Sequence, residues 1–194
     1  ADECTALGAQ ADAVLTLMRQ RAPVFVRVNA ARAQPAAVVA DLAAEGIVAH
    51  RHPLAPHALE VTENARKLRN SAVWDEGRIE MQDAASQAVA QTFADQAGAG
   101  PVLDFCAGGA GARIEVLASA RGTWRAILAD APCSGSGSWR RAPEAKWAFS
   151  PARLVALTEL QDQILARCAS LTAPGGLLGY ATCSLLRAEN EERV

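Results

Sequence analysis

Three short stretches of this chain concentrate the residue types that do chemistry. Cys106-Ala107-Gly108-Gly109, Asp130-Ala131-Pro132-Cys133-Ser134-Gly135-Ser136-Gly137 and Thr182-Cys183-Ser184 each follow directly on an apolar run. Glycines after a strand let the backbone approach a ligand closely, but a tight turn needs them too, so the Cys106 stretch taken alone fits either reading. The Asp130 stretch is more specific. It sets an acid, a thiol and glycines just ahead of Arg140, Arg141, Glu144 and Lys146, three cations against one acid. Such a segment is a poor packing element and a good site for a polar, anionic substrate.

The flanking patterns predict what holds these loops. Residues 102–105 read as a buried strand running into Cys106, residues 124–129 as a strand ending at Asp130, and residues 177–181 as a strand ending in Thr182-Cys183-Ser184. After Pro151, Leu154, Leu157, Ile164, Leu165, Cys168 and Leu171 recur at helical spacing, which gives an amphipathic helix stopped by Pro174-Gly175-Gly176. Open parallel α/β sheets bind ligands at the carboxyl ends of their strands, where all three loops fall. One spacing is anomalous. Asp104 and Asp130 lie only 26 positions apart, whereas a βαβ unit takes roughly 30 or more residues. The chain is therefore expected to lack segments of such a sheet, after Gly109 and again near residues 119–123.

The first 97 residues read differently. Residues 23–29 look like a strand, Pro35 sits where proline opens a helix, and Gly46 falls just past its end. Strand-like residues 47–50 and 58–62 are separated by Pro53 and Pro56, and Asp83 is placed to cap a helix over 84–96 that Gly98-Ala99-Gly100-Pro101 breaks. The expected organisation is a helical segment and small α+β module over 1–97, then an α/β domain over 98–194.

Composition narrows the function classes. The 194 residues are 51% hydrophobic and 21% charged, with a mean hydropathy of +0.05, which is globular and excludes wholesale disorder. The longest apolar runs fall far short of the ~20 residues that span a bilayer. The N-terminal residues show neither a basic nor an apolar leader region, so the expected address is cytoplasmic. A net charge of −2 argues against bulk-charge adhesion to nucleic acid and leaves only local contacts. Five cysteines, Cys4, Cys106, Cys133, Cys168 and Cys183, are an odd number without CxxC spacing, which predicts reduced thiols rather than a disulfide framework or zinc knuckle. His50, His52 and His57 cluster in sequence without a nearby cysteine or acidic ligand, so no metal is expected there.

Taken in order, Val26-Arg27-Val28-Asn29, residues 82–87, 102–109 and 130–147, Gly175-Gly176 and residues 180–191 including Glu189-Asn190-Glu191 form a collinear set. In this set the chain resembles the Fmu/Sun, or RsmB-like, family of S-adenosylmethionine-dependent RNA cytosine-5 methyltransferases. The resemblance implies a Rossmann-like methyltransferase sheet preceded by a small α+β RNA-binding module, acting as a monomer on RNA, ribosomal RNA in the first instance. It implies Cys183 as the nucleophile that attacks cytosine C6, Cys133 as the thiol that helps release product, and Asp130 as the acid that hydrogen-bonds the cytosine edge with a raised pKa. Cys106, Ala107, Gly108, Gly109 and Asp130 would border the cofactor. Arg140, Arg141 and Lys146 are candidate phosphate contacts, Arg27 and Asn29 candidate RNA contacts, and Trp139 is the tryptophan best placed by sequence to stack on a base. The chain departs from the family where Ala110-Gly111-Ala112-Arg113 replaces two glycines and a lysine, and where the acids that hold the cofactor's ribose and adenine have no counterpart. A non-catalytic RNA-binding or assembly factor, and the same chemistry on transfer RNA or DNA, are the alternatives.

Overall fold

The computed structural model describes residues 7–107 and 122–194. Cys4, Gly108, Gly109 and residues 110–121, which hold most of the stretch expected to lack segments, lie outside the described residues. The chain divides into two compact units, Pro23–Asp95 and a second formed by Ala1–Ala22 with Gln96–Val194. Helix α1 (Ala11–Met18) thus groups with the second unit rather than with the module that follows it in sequence.

In the Pro23–Asp95 unit, β1 (Val24–Val28), α2 (Pro35–Ala44), β2 (Val48–Arg51), β3 (Ala58–Glu63), α3 (Ala72–Asp75) and β4 (Ile79–Met81) follow in order. The sheet runs β2-β3-β1-β4 with every neighbouring pair antiparallel, a ferredoxin-like arrangement. Alternation along β1 explains its two faces. Val26 and Val28 are buried against Val38 and Leu42 of α2, whereas Arg27 faces away and pairs across the ladder with Glu80 at 2.5 Å. Pro35 supplies the first turn of α2, and Gly46 takes φ +72° just beyond its end. Asp83 Oδ1 accepts from Ala85 N at 3.0 Å where α4 (Ala84–Ala97) begins.

The second unit carries a parallel sheet in the order β5 (Val102–Asp104), β6 (Trp124–Asp130), β7 (Thr172–Ala181), with β6 in the middle. Between β6 and β7 lie the single turn α5 (Glu144–Trp147) and the long α6 (Pro151–Leu171). Phe105, Ile127 and Ala129 bury against Cys168 and Leu171 of α6 with Ile164 packed beside them, so the C-terminal part of the apolar stripe read from the sequence covers the sheet. Pro174-Gly175-Gly176 acts differently from expectation. The helix already ends at Leu171, and the three residues form an irregularity inside β7, where Trp124 pairs with Thr172 but Ala126 pairs with Leu177. The extra residues need a glycine, because Gly175 has φ +71° and a Cβ on Gly176 would come within 2.9 Å of Arg125 O.

Ser150 caps α6 by accepting from Arg153 N at 3.2 Å. Ser150→Ala is expected to cost about 1 kcal/mol of stability. Urea unfolding should show a lower midpoint with an unchanged slope, and an unchanged midpoint would remove the capping role. Among the described residues no helix is long and apolar enough to cross a membrane.

Candidate active site

The parallel sheet brings its strand ends together. Asp104 pairs in register with Leu128, and Asp130 ends the adjacent strand two residues further on, while Ala181 opposite Asp130 leads into Cys183. Ala131 N donates to Ala181 O at 2.9 Å, and Gly137 N donates to Cys183 O, also at 2.9 Å. These bonds splice the loop after β6 onto the loop after β7. Gly137 must be glycine for that approach, since a Cβ there would sit 2.8 Å from Cys183 O. Gly135 adopts φ +67°, which turns the Cys133 loop back toward β7.

The result is a thiol pair. Cys133 Sγ and Cys183 Sγ stand 3.3 Å apart, both as free thiols, with Cys183 exposed and Cys133 half-buried. A hydrogen shared between two sulfurs splits their acidities. Cys183 is lowered below the ordinary thiol value because the Cys133 thiol donates to it, with the Ser138 hydroxyl helping against the cost of burial. Cys133 is raised because its hydrogen is committed to Cys183 and because it is more buried. Both shifts favour the thiolate at the exposed sulfur and the thiol at the half-buried one.

Asp130 is raised above the usual carboxylate range, first by burial and then by the negative charge of Asp104. A carboxyl that holds its proton can donate a hydrogen bond to a substrate ring. The same two acids flank the Phe105-Cys106-Ala107 turn. The charge of Asp104 is one of the two causes that raise Asp130, and an acid at that strand end suits the cationic groups of S-adenosylmethionine. Asp104 is a further candidate that sequence reasoning did not single out, although an acid closing the strand before Cys106 was its signal. Cys106 is raised by burial and by the two acids, as befits a thiol lining a site rather than attacking in it. Burial pushes Cys168 up to about 12 within the core.

A second missed group braces the loops. Glu189 is fully buried; it accepts from Ser134 N at 2.8 Å, from the Ser134 hydroxyl, and from Gln161 Nε2 at 3.1 Å. Gln161, also fully buried, sends the same amide nitrogen to Pro132 O at 2.9 Å. Asn190 serves the other loop, accepting from Thr182 Oγ1 at 2.6 Å and donating to Ser184 O and Leu186 O.

Several candidate contacts are placed elsewhere. Trp139 is only 8% exposed and packs edge-on against Phe149 with ring centroids 5.8 Å apart, so it is a core residue and has no free face for a base; Trp147 is the exposed one. Arg140 donates to Gln20 O and Arg21 O at 3.0 and 2.8 Å, which ties its guanidinium to the N-terminal segment of its own unit. Arg27 is paired with Glu80, and Asn29 bonds Ala31 N and Gly77 O as a turn residue. His52 lies edge-on to Phe25, and no metal-binding cluster occurs among the described residues.

Comparison with known proteins gives the class and then the family. A methyltransferase homologue from Pyrococcus horikoshii superposes with a TM-score of 0.79 at 20% identity, covering 99% of this chain and 74% of that one. NSun6 from the same organism, solved with SFG, superposes at 0.75 and 13% identity over 98% of this chain and 83% of its own. The second unit thus has the Rossmann-like methyltransferase fold. Two family models match the sequence, 16S rRNA methyltransferase RsmB/F over residues 113–194 and the RsmF/B-like ferredoxin-like domain over residues 4–66. The chain belongs to the RsmB/F methyltransferase family. Ribosomal RNA small subunit methyltransferase B of Xanthomonas campestris is 30% identical over 96% of this chain, and the match covers 53% of that protein. The chain spans about half the length of the curated relatives it matches. That alignment runs over 233 positions, more than the 194 residues present, so the relative carries residues inside the matched region that have no counterpart here.

Proposed function

We propose that this chain transfers a methyl group from S-adenosylmethionine to C5 of a cytosine in RNA, 16S ribosomal RNA foremost, through a covalent adduct at C6. The observation that carries this reading is the 3.3 Å pairing of the exposed Cys183 thiol with the half-buried Cys133 thiol; the hydrogen bond from Cys133 lowers Cys183, and burial raises nearby Asp130. The names of the relatives and the structural neighbour solved with SFG, an S-adenosylmethionine analogue, support the substrate and the cofactor.

Cytosine C5 is a poor nucleophile until C6 is attacked. The Cys183 thiolate forms the S–C6 bond, and the C5–C6 electron pair becomes enamine-like at C5 while Asp130 hydrogen-bonds the N3 edge and favours its protonation. Asp104, Asp130 and the Cys106-Ala107 turn are the residues that would hold the cofactor, which when bound supplies an electrophilic methyl for C5. Loss of the C5 proton to a base then restores the C5–C6 double bond and expels Cys183. Cys133 assists that expulsion by returning its hydrogen bond to the departing sulfur. Attack on the ring face requires a single-stranded or flipped-out base.

The test is methylation of transcribed 16S RNA by the purified chain with labelled S-adenosylmethionine, read at single positions by bisulfite sequencing. One or a few protected cytosines are expected, with transfer RNA and DNA as weak competitors. Binding of RNA without methyl transfer would favour a non-catalytic assembly role, and stronger competition by transfer RNA or DNA would reassign the substrate.

A further inference from the structure

The Cys133 and Cys183 loops leave different strands, and nothing in either local sequence fixes the separation of their sulfurs. Two consecutive residues after β7 reach one loop each. Asn190 holds the Cys183 loop through Thr182, Ser184 and Leu186. Glu189 crosses to the other, bonding both the backbone N–H and the hydroxyl of Ser134, the residue next to Cys133. Gln161 backs the carboxylate and also fixes Pro132 O on the other side of Cys133. Tyr180 OH donates to Glu189 O at 2.8 Å and Glu189 N donates to Leu186 O at 3.1 Å, so the backbone of Glu189 is fixed as well. The Ser134 and Ser136 hydroxyls meet Ser184 Oγ at 3.2 and 3.1 Å, which closes the ring of contacts between the two loops.

A carboxylate with no exposure at all is costly unless its oxygens are satisfied. Here one oxygen takes Ser134 N and Gln161, and the other takes the Ser134 hydroxyl. Charge-assisted bonds of this kind are short and directional, so they fix position as well as adding stability. None of the three donors is a cation. The group is built to hold a loop rather than to neutralise a charge.

We propose that Glu189 is a positioning residue that sets Cys133 against Cys183, so that the thiol pair exists only while this buried carboxylate clasps Ser134. The inference bears on catalysis through the reading of Cys183 as nucleophile, but the thiol pairing itself is measurable without RNA or cofactor. The groups that face the pair are Asp130, Tyr180, the Ser138 hydroxyl and the backbone of Gly135, and the variants below leave them in place.

The experiment follows iodoacetamide alkylation of Cys183 against pH in the 194-residue chain, read by mass spectrometry of the Cys183 peptide. Glu189→Gln keeps the volume and one acceptor oxygen but turns an amide N–H₂ toward the remaining donors. Folding is checked by near-ultraviolet circular dichroism. The expected result is a folded protein whose Cys183 alkylation midpoint moves up in pH, with a rate at neutral pH lower by about tenfold as the thiolate fraction falls. Should Glu189→Gln fail to fold, Ser134→Ala removes the hydroxyl's contacts with Glu189, Ser184 and Ser136 N and leaves the carboxylate its other two donors, with the same direction of shift expected and Ser134→Thr restoring it. A folded variant with an unchanged midpoint overturns the proposal, and so does Ser134→Ala with no shift. Failure here leaves the methylation reading intact, and absence of methyl transfer with a normal alkylation shift leaves this inference intact.

Discussion

Cys183→Ala is expected to abolish methyl transfer, with a loss on the order of 10⁴-fold or more, as when a covalent nucleophile is removed. The companion variant separates the two sulfurs. On the proposed mechanism, Cys133→Ala leaves Cys183 able to attack but removes the thiol 3.3 Å away that would stabilise it as a leaving group. RNA linked to protein should then accumulate and survive a denaturing gel, while Cys183→Ala shows none. The pH dependence follows from the same pair. Cys183 is lowered, so its thiolate is populated from below the ordinary thiol range upward. Adduct formation by Cys133→Ala should need higher pH than in the parent, because the hydrogen bond that acidified Cys183 is gone. An adduct formed without Cys183 would reverse the two roles.

Gly137→Ala is expected to have the second-largest effect, and for a steric reason. The backbone at Gly137 is not in the left-handed region, so alanine is conformationally allowed there. The obstacle is the carbonyl of Cys183, 2.8 Å from where the new Cβ must sit and held by the bond from Gly137 N. Backbone on both sides leaves no flexible end to yield. The two loops must separate, carrying Cys183 away from Cys133 and Asp130. A displacement of about 1 Å at reacting groups costs on the order of 10²-fold in rate. Steady-state kinetics should place the loss in kcat, with far-ultraviolet circular dichroism unchanged. A variant that turns over at the parental rate would show that the splice between the loops does not govern the chemistry.

Family membership says what such chains do elsewhere, whereas the geometry says which groups here are able to do it. The thiol pair and Asp130 come from three positions on two strand ends, and the bracing carboxylate comes from a third segment. The ferredoxin-like unit, by contrast, turns its two sequence-marked polar residues, Arg27 and Asn29, to partners inside itself.

The sequence by itself determined many of the elements and the chemistry-bearing loops, though not α3 or β4. Alternation in 24–28, the proline at 35, the glycine at 46, the acid at 83 and the apolar stripe from Leu154 to Leu171 are local signals, and each marks the element or boundary found. Strand ends carrying Asp130 and Cys183 were legible because a parallel sheet gathers such ends on one side. Tertiary structure alone decided the rest. Gln161 sits within the apolar stripe of α6 and looks like an interruption of it, yet its partners lie 28 and 29 positions away; Glu189 stands in the sequence only as part of the Glu189-Asn190-Glu191 motif, and Ser134, 55 positions back, is what satisfies it. Trp139 beside two arginines suggested a stacking surface, but packing on Phe149 buried it. The physical reason is the same in each case. Periodicity and capping act over a few residues, while the cost of burying a polar group or ring is met only by atoms that the fold brings from far along the chain.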